Sequence, residues 1–421
     1  MVKMKKQRLR KWLCSVLCAG LFISQPGLIY AEEENSQPAT EATPTPVPHT
    51  EYYKENADTD ALTGWPEGPK IEGQSAILLD MQTGSVLYSK NADKKLYPAS
   101  ITKIMTTLLA CENLKLEDKL VMSQAAAYGI EAGSSSIYAD TGEEFTVEQA
   151  LMAVMLESAN EVSLAVAEKT SGSVKKFVEL MNKRARELGC TGTHFNNPNG
   201  LPDKNHFTTA ADMAKIADAA WHNPLFRKFV TRILYEIPPT NKFGETRYFL
   251  NHHKMMEGRD YAYEGVMGGK TGYTDDAGST LVTYAKRGEM RLVAVVMNSI
   301  NGAYADTAQL LDYGFNNFQK VSMKVNTDTV TRRNLPCEKY LLKNCGNDMA
   351  FYYPHQIYVT VPKGFTADMM TLKTTTLKSV VGMPTILNEY YYEDHLVGKG
   401  VQYEKELLSE LLSELLLRSS L

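Results

Sequence analysis

The sequence predicts an α+β domain followed by a smaller, mostly β domain, and three observations carry that prediction. Strand patterns stand at both ends of residues 73–319, at Ala76-Ile77-Leu78-Leu79-Asp80 and again at residues 279–284 and 291–297. Helical periodicity fills most of the stretch between them. After Lys320 the composition turns to Val, Thr and Tyr, with turn signals at Pro362-Lys363-Gly364 and Gly398-Lys399-Gly400. Strands from distant parts of a chain, with helices between them, close into one sheet with segregated helices. At 421 residues, 43% hydrophobic and 22% charged, the chain is globular and long enough for two or three domains.

The first 31 residues have the layout of a secretory signal peptide. Lys3, Lys5, Lys6, Arg8, Arg10 and Lys11 precede an apolar run from Trp12 through Leu21-Phe22-Ile23. A Pro26-Gly27 break and the small residue Ala31 follow. The competing reading, an uncleaved membrane anchor, is opposed by Gln25 and Pro26, which interrupt the run. The expectation is an exported, extracytoplasmic protein. Without those six basic residues, 39 of the 45 Lys and Arg face 49 Asp and Glu. So acidic a balance excludes nucleic acid as a partner.

Residues 32–72, rich in Glu, Thr and Pro, read as an unstructured linker. Order is expected from Ser75, with two strands around Thr83-Gly84. Helices follow over residues 100–218, including the apolar stretch 150–156 and one long segment, 162–188. An amphipathic helix over 303–318 closes the α+β domain, and residues 320–402 form the β-rich one. Residues 403–421 carry Leu407, Leu408, Leu411, Leu412, Leu415 and Leu416 at helical spacing, opposite Glu406, Glu410 and Glu414. Such a helix either lies on a membrane or packs on the chain's own β domain or a second copy. Cys111, Cys190, Cys337 and Cys345, the cysteines beyond the signal, are too few for a disulfide scaffold or zinc site. Cys337 and Cys345 are near enough in sequence to bridge a loop, which Cα geometry decides.

Three motifs stand in the order a serine acyltransferase needs. Ser100-Ile101-Thr102-Lys103 opens an apolar helix, and positions three apart share a helix face. The Lys103 amine then reaches the Ser100 hydroxyl and takes its proton, provided burial and nearby positive charge keep it neutral. Ser158-Ala159-Asn160 follows the apolar stretch and puts a hydroxyl and an amide at a helix break, facing one cleft. Taken alone, that tripeptide is a plain helix cap. Lys270-Thr271-Gly272-Tyr273 heads a hairpin, where lysine and threonine can hold a substrate carboxylate and Gly272 admits a ligand against the backbone. Its glycine spacing is wrong for a P-loop.

The trio is the known signature of penicillin-binding proteins and class A β-lactamases. With Tyr97-Pro98-Ala99 before the serine, Thr193-His194-Phe195 and Thr208-Thr209-Ala210-Ala211-Asp212, the chain resembles the low-molecular-weight D-Ala-D-Ala carboxypeptidases over residues 74–399. The resemblance implies a penicilloyl-serine transferase fold, with an antiparallel sheet, a helical subdomain and a C-terminal β domain. It implies that Ser100 attacks a peptidoglycan stem ending in D-Ala-D-Ala, that Lys103 is the base and that Ser158 relays the proton. It further implies that Asn160 positions substrate, that Lys270 and Thr271 bind its carboxylate, and that the Ser100 and Tyr273 N–H groups form the oxyanion hole. β-Lactams are then covalent inhibitors, and no metal or cofactor is needed. His206 and the pair His252-His253 lack the spaced partners of a metal site. Many members carry His before the Gly-Leu where this chain has Asn199-Gly200-Leu201. That His is associated with deacylation, so deacylation is the step the resemblance carries least. The alternatives are a β-lactamase on the same fold, for which no Glu-x-x-x-Asn loop is evident, and a non-catalytic β-lactam sensor, which needs membrane spans.

Overall fold

The structure is a computed structural model that describes residues 48–300, 302–323, 331–333, 349–352, 356–378 and 384–404. The signal peptide, Cys337, Cys345 and residues 405–421 lie outside the described residues.

Ordered chain begins well before Ser75. Residues Glu51–Lys54 and Asp58–Ala61 form 3-10 turns, and Trp65 and Ile71 are buried. The Trp65 indole donates to the Leu87 carbonyl at 2.9 Å, and its ring packs near Phe318, Phe365, Tyr392 and His395. Lys90 donates to the Ile71 carbonyl, while Asp306 accepts the N–H groups of Glu72 and Gly73. The linker expected to reach residue 72 therefore gives way to packed chain by residue 50. Composition averaged over a Pro- and Glu-rich stretch hid one tryptophan, and a buried tryptophan stabilises by several kcal/mol, on the order of 3–5.

Strands β1 (Ser75–Asp80) and β2 (Val86–Lys90) pair antiparallel. Helix α1 (Lys103–Asn113) continues a 3-10 turn over Ala99–Thr102. Strand β3 (Lys119–Val121), helix α2 (Gln124–Tyr128) and strand β4 (Glu144–Thr146) lead to α3 (Val147–Leu156). A capping box starts α3: Thr146 Oγ1 accepts from Gln149 N–H, and the Gln149 side chain accepts from Thr146 N–H. Next come α4 (Asn160–Ser171) and α5 (Val174–Glu187). The segment read as one long helix is thus two. Gly172, at φ 78°, ends α4 in the left-handed conformation, and Ser173 caps α5 by accepting from Lys176 N–H.

Helices α6 (Ala210–His222) and α7 (Pro224–Val230) complete this layer. The β5–β6 hairpin (Leu234–Ile237, Arg247–Leu250) follows, then β7 (Val266–Thr274), β8 (Gly278–Arg287), β9 (Met290–Ser299) and α8 (Ala303–Asn317). The main sheet runs β2-β1-β9-β8-β7, antiparallel throughout, with β7 on the edge. Both faces are covered. Ile77, Leu79, Val293 and Val295 pack with the α1 to α7 layer, and the alternate Ala76, Leu78, Leu292 and Ala294 pack with Leu310 and Leu311 of α8. A two-residue period buried on both sides reads as a continuous apolar run in sequence.

Beyond α8, β10 (Phe318–Ser322), β11 (Thr331–Arg333) and β12 (Met349–Tyr352) precede β13 (Tyr358–Pro362), which pairs with β10. Strands β14 (Thr371–Lys378), β15 (Pro384–Tyr392) and β16 (His395–Glu404) join β11 and β12 in a second sheet, ordered β11-β12-β16-β15-β14. Tyr403 and Glu404, expected in the terminal helix, end β16 instead. Val359, Val361 and Val397 share a core with Trp65 and Leu78, so the β region is seated on the α8 side of the main sheet.

Candidate active site

The 3-10 turn and α1 place Ser100 and Lys103 on one face, as their spacing demands. Lys103 is fully buried, and its ammonium nitrogen has three oxygen neighbours. It donates to Ser100 Oγ at 2.9 Å, to Asn160 Oδ1 at 2.7 Å and to the Asn199 carbonyl at 2.6 Å. Burial, and then the charge of Lys270, hold its pKa well below that of an ordinary lysine, against a smaller opposing pull from Glu161. Both conditions for a neutral amine at the serine are met.

Two residues of the site carry backbone strain. Ala99 has φ 49° and Ser158 φ 59°, left-handed conformations that cost non-glycine residues on the order of 1–3 kcal/mol each. Ser158 sits in the break between α3 and α4, where its buried hydroxyl has no partner among the described residues. Asn160 starts α4, and its N–H donates to the Ser135 carbonyl at 2.9 Å, tying the cleft wall at residues 131–135 to this break.

Edge strand β7 closes the other side. Gly272 fits more than a ligand: a Cβ there would lie 2.8 Å from Ser100 N and 2.4 Å from Thr280 Oγ1. Thr280 in turn donates to the Pro98 carbonyl, fixing the nucleophile turn to the sheet. Lys270 is buried and its ammonium donates to the Thr271 carbonyl. Burial lowers its pKa to about 7, with Glu157 pulling the other way. Glu157 itself is pushed up by burial, yet hydrogen bonds from His252 and Leu250 N–H bring it below an ordinary carboxyl. A cleft of about 1050 Å³ runs between these walls, lined by Ser100, Ser158, Asn160, Thr271, Gly272 and Tyr273 among others. That volume lies at the upper end of the range for small-ligand clefts.

A family model for D-alanyl-D-alanine carboxypeptidases (peptidase family S11) matches residues 63–301. The chain belongs to that family. D-alanyl-D-alanine carboxypeptidase DacF of Bacillus subtilis is 37% identical over 268 residues, 62% of this chain and 67% of the relative. DacA of Escherichia coli is 29% identical over 330 residues, covering 74% and 76%. Penicillin-binding protein 5 of Haemophilus influenzae matches in structure with TM-score 0.63 and 25% identity, over 80% of this chain and 97% of that one. The Streptomyces K15 DD-transpeptidase matches with TM-score 0.56 and 29% identity, over 59% and 99%. The protein is a serine-type D-Ala-D-Ala carboxypeptidase of the penicillin-binding fold, with D-Ala-D-Ala peptides as substrates and β-lactams as ligands.

All eight residues singled out from the sequence, Ser100, Lys103, Ser158, Asn160, Lys270, Thr271, Gly272 and Tyr273, meet around this cleft. The sequence reading missed the carbonyl of Asn199 as a holder of Lys103, because main-chain acceptors leave no motif. The Asn199 side chain serves its own turn, accepting from Leu201 N–H. It also missed Glu157 and Glu161, which flank the second motif and differ from surface glutamates only by burial. His206 is committed elsewhere: its Nδ1 accepts from Asn196 N–H, and Nε2 meets Thr102 Oγ1 at 2.8 Å. Burial drops its pKa to about 4. His253 is likewise buried, with Nε2 2.8 Å from Thr283 Oγ1.

Gly200 sets how closely the Asn199 turn approaches the nucleophile. It has φ 87°, and a Cβ there would fall 1.9 Å from the Ala99 carbonyl oxygen. Gly200→Ala is expected to cost more than about 2 kcal/mol in urea unfolding and to slow penicillin acylation at least tenfold, roughly. Wild-type values for both would show that the turn does not bear on Ala99.

Proposed function

We propose that Ser100 is the nucleophile and Lys103 its general base in removing the terminal D-alanine from peptidoglycan stem pentapeptides. The observation that carries this is the three-point hold on the buried Lys103 nitrogen, 2.9 Å from Ser100 Oγ: once neutral, the amine keeps two N–H bonds, to Asn160 Oδ1 and the Asn199 carbonyl, and its lone pair is left for the Ser100 hydroxyl proton. Lys103 takes the Oγ proton as Oγ bonds to the carbonyl carbon of the penultimate residue. The N–H groups of Ser100 and Tyr273 receive the developing oxyanion. Ser158, whose buried hydroxyl has no partner among the described residues, relays the proton held by Lys103 to the amine of D-alanine as the peptide C–N bond breaks. Lys270 and Thr271 bind the terminal carboxylate, and water then cleaves the acyl-enzyme. The test is mass spectrometry of D-Ala release from a pentapeptide beside nitrocefin hydrolysis. Rapid nitrocefin turnover without D-Ala release would favour the β-lactamase reading.

A charged Lys270 is required for the carboxylate contact, and its pKa is lowered to about 7. The contribution is therefore present below pH 7 and fades as pH rises through it. KM for a substrate ending in a free acid is expected to climb across that range, while an amide-ended substrate stays poor and flat. Lys270→Ala should raise the acid substrate's KM by roughly tenfold to a hundredfold and leave the amide little changed. Equal losses for both substrates would give Lys270 a different role.

The setting follows from the same chemistry. Residues 1–31 direct export, and the enzyme acts outside the cytoplasm on the cell wall. The leucine stripe of residues 404–421, beyond Glu404 outside the described residues, gives a peripheral contact with the outer face of the membrane. Its acidic polar face works against anionic lipid while its leucine area works for binding. A tail-deleted protein that partitions like the full mature chain with vesicles would end that reading.

A further inference from the structure

When Lys103 takes the serine proton it becomes an ammonium at a fully buried position, and such a charge is costly unless something opposite lies near it. Its hydrogen-bond partners, Ser100 Oγ, Asn160 Oδ1 and the Asn199 carbonyl, are neutral. Lys270, from β7, is a like charge and makes the problem worse. His206 is held neutral by burial over the working range. The remaining group that acts on Lys103 is Glu161, one residue past Asn160 on α4, 1% exposed.

Glu161 uses only half of its carboxylate. Oε1 accepts the N–H groups of Ile137 and Ala139, at 2.8 and 3.4 Å, clamping the loop that continues from the cleft wall. Among the described residues, Oε2 is buried with no hydrogen-bond partner. An unsatisfied buried carboxylate oxygen is expensive, and a clamp alone would be served as well by glutamine, whose amide oxygen accepts the same two bonds. The segment 157–161 also shows a pattern: Glu157 at its start acts on Lys270, and Glu161 at its end acts on Lys103.

We propose that Glu161 is a positioning residue for acylation, whose buried negative charge supports the Lys103 ammonium formed as Ser100 is deprotonated. This rests on Lys103 being the base. Charge, more than the two loop hydrogen bonds, is what the reaction needs from this side chain.

The experiment measures acylation of the purified mature protein by a fluorescent penicillin from pH 5 to 10, per folded molecule as fixed by circular dichroism. Glu161→Gln keeps the acceptor and loses the charge; Glu161→Asp keeps the charge and draws the acceptor back by one methylene. Glu161→Gln is expected to acylate roughly tenfold more slowly, because a less basic amine is a weaker catalyst. Its rising pH limb should move to lower pH, since removal of a negative charge favours the neutral lysine. Glu161→Asp should keep the wild-type limb and acylate faster than Glu161→Gln. Lys270 titrates in all three proteins and so does not separate them. The opposite order, with Gln at or above Asp and an unmoved limb, would reduce Glu161 to a loop clamp and overturn the proposal. Failure of the underlying base assignment has a separate sign, normal acylation by Lys103→Ala.

Discussion

Ser100→Ala is expected to abolish penicillin labelling and D-Ala release together, with thermal unfolding within a few degrees of wild type. The substitution removes one hydroxyl from a partly exposed position, and Lys103 keeps its bonds to Asn160 Oδ1 and the Asn199 carbonyl. Stability therefore changes little, and the loss belongs to chemistry. Loss of a nucleophile that acts as a unit with its base costs on the order of 10⁴ or more in rate. Residual release above about one part in a thousand, once contaminating enzyme is excluded, would mean that another group opens the peptide bond.

Lys103→Ala is expected to fail at acylation by roughly 10³-fold, while binding of the substrate carboxylate at Lys270 persists. The mechanism of loss is specific: the serine hydroxyl keeps its place but has no acceptor for its proton. This variant also strands Asn160 Oδ1 and the Asn199 carbonyl without their donor, a cost of about 1–3 kcal/mol for each unsatisfied group. Unfolding measurements must accompany the kinetics. A variant as stable as wild type that acylates at the normal rate would remove Lys103 from the base role. High pH should not rescue it, because among the described residues no other amine is hydrogen-bonded to Ser100.

The fold and site were legible in the sequence to the extent that chemistry repeats at short spacing. Ser100 and Lys103 could be paired because a helical turn brings residues three apart together, and the structure has them at 2.9 Å. The sheet was legible because β1 and β9 are buried on both faces and so read as unbroken apolar runs. What escaped depends on tertiary placement. The break at Gly172-Ser173 looked like helix because one glycine does not interrupt a periodic pattern, and only its φ of 78° reveals a cap. Residues 50–72 looked like linker because their composition is that of one, although Trp65 and Ile71 are anchored in the core. Glu161 reads in sequence like any glutamate on a helix, and only its burial, at 1% exposed, sets it apart. The strain at Ala99 and Ser158 has no signature in residue type, since neither is a glycine.

The most direct measurement of the central claim is peptide mapping of the penicilloyl adduct by mass spectrometry. The mature protein is labelled with a β-lactam, digested and fragmented, with the other cleft-lining serines, Ser134, Ser135, Ser158 and Ser279, mapped in the same run. The account predicts a single adduct on the peptide bearing Tyr97-Pro98-Ala99-Ser100, localised to Ser100. An adduct on Ser158, Ser135 or any other residue would contradict it.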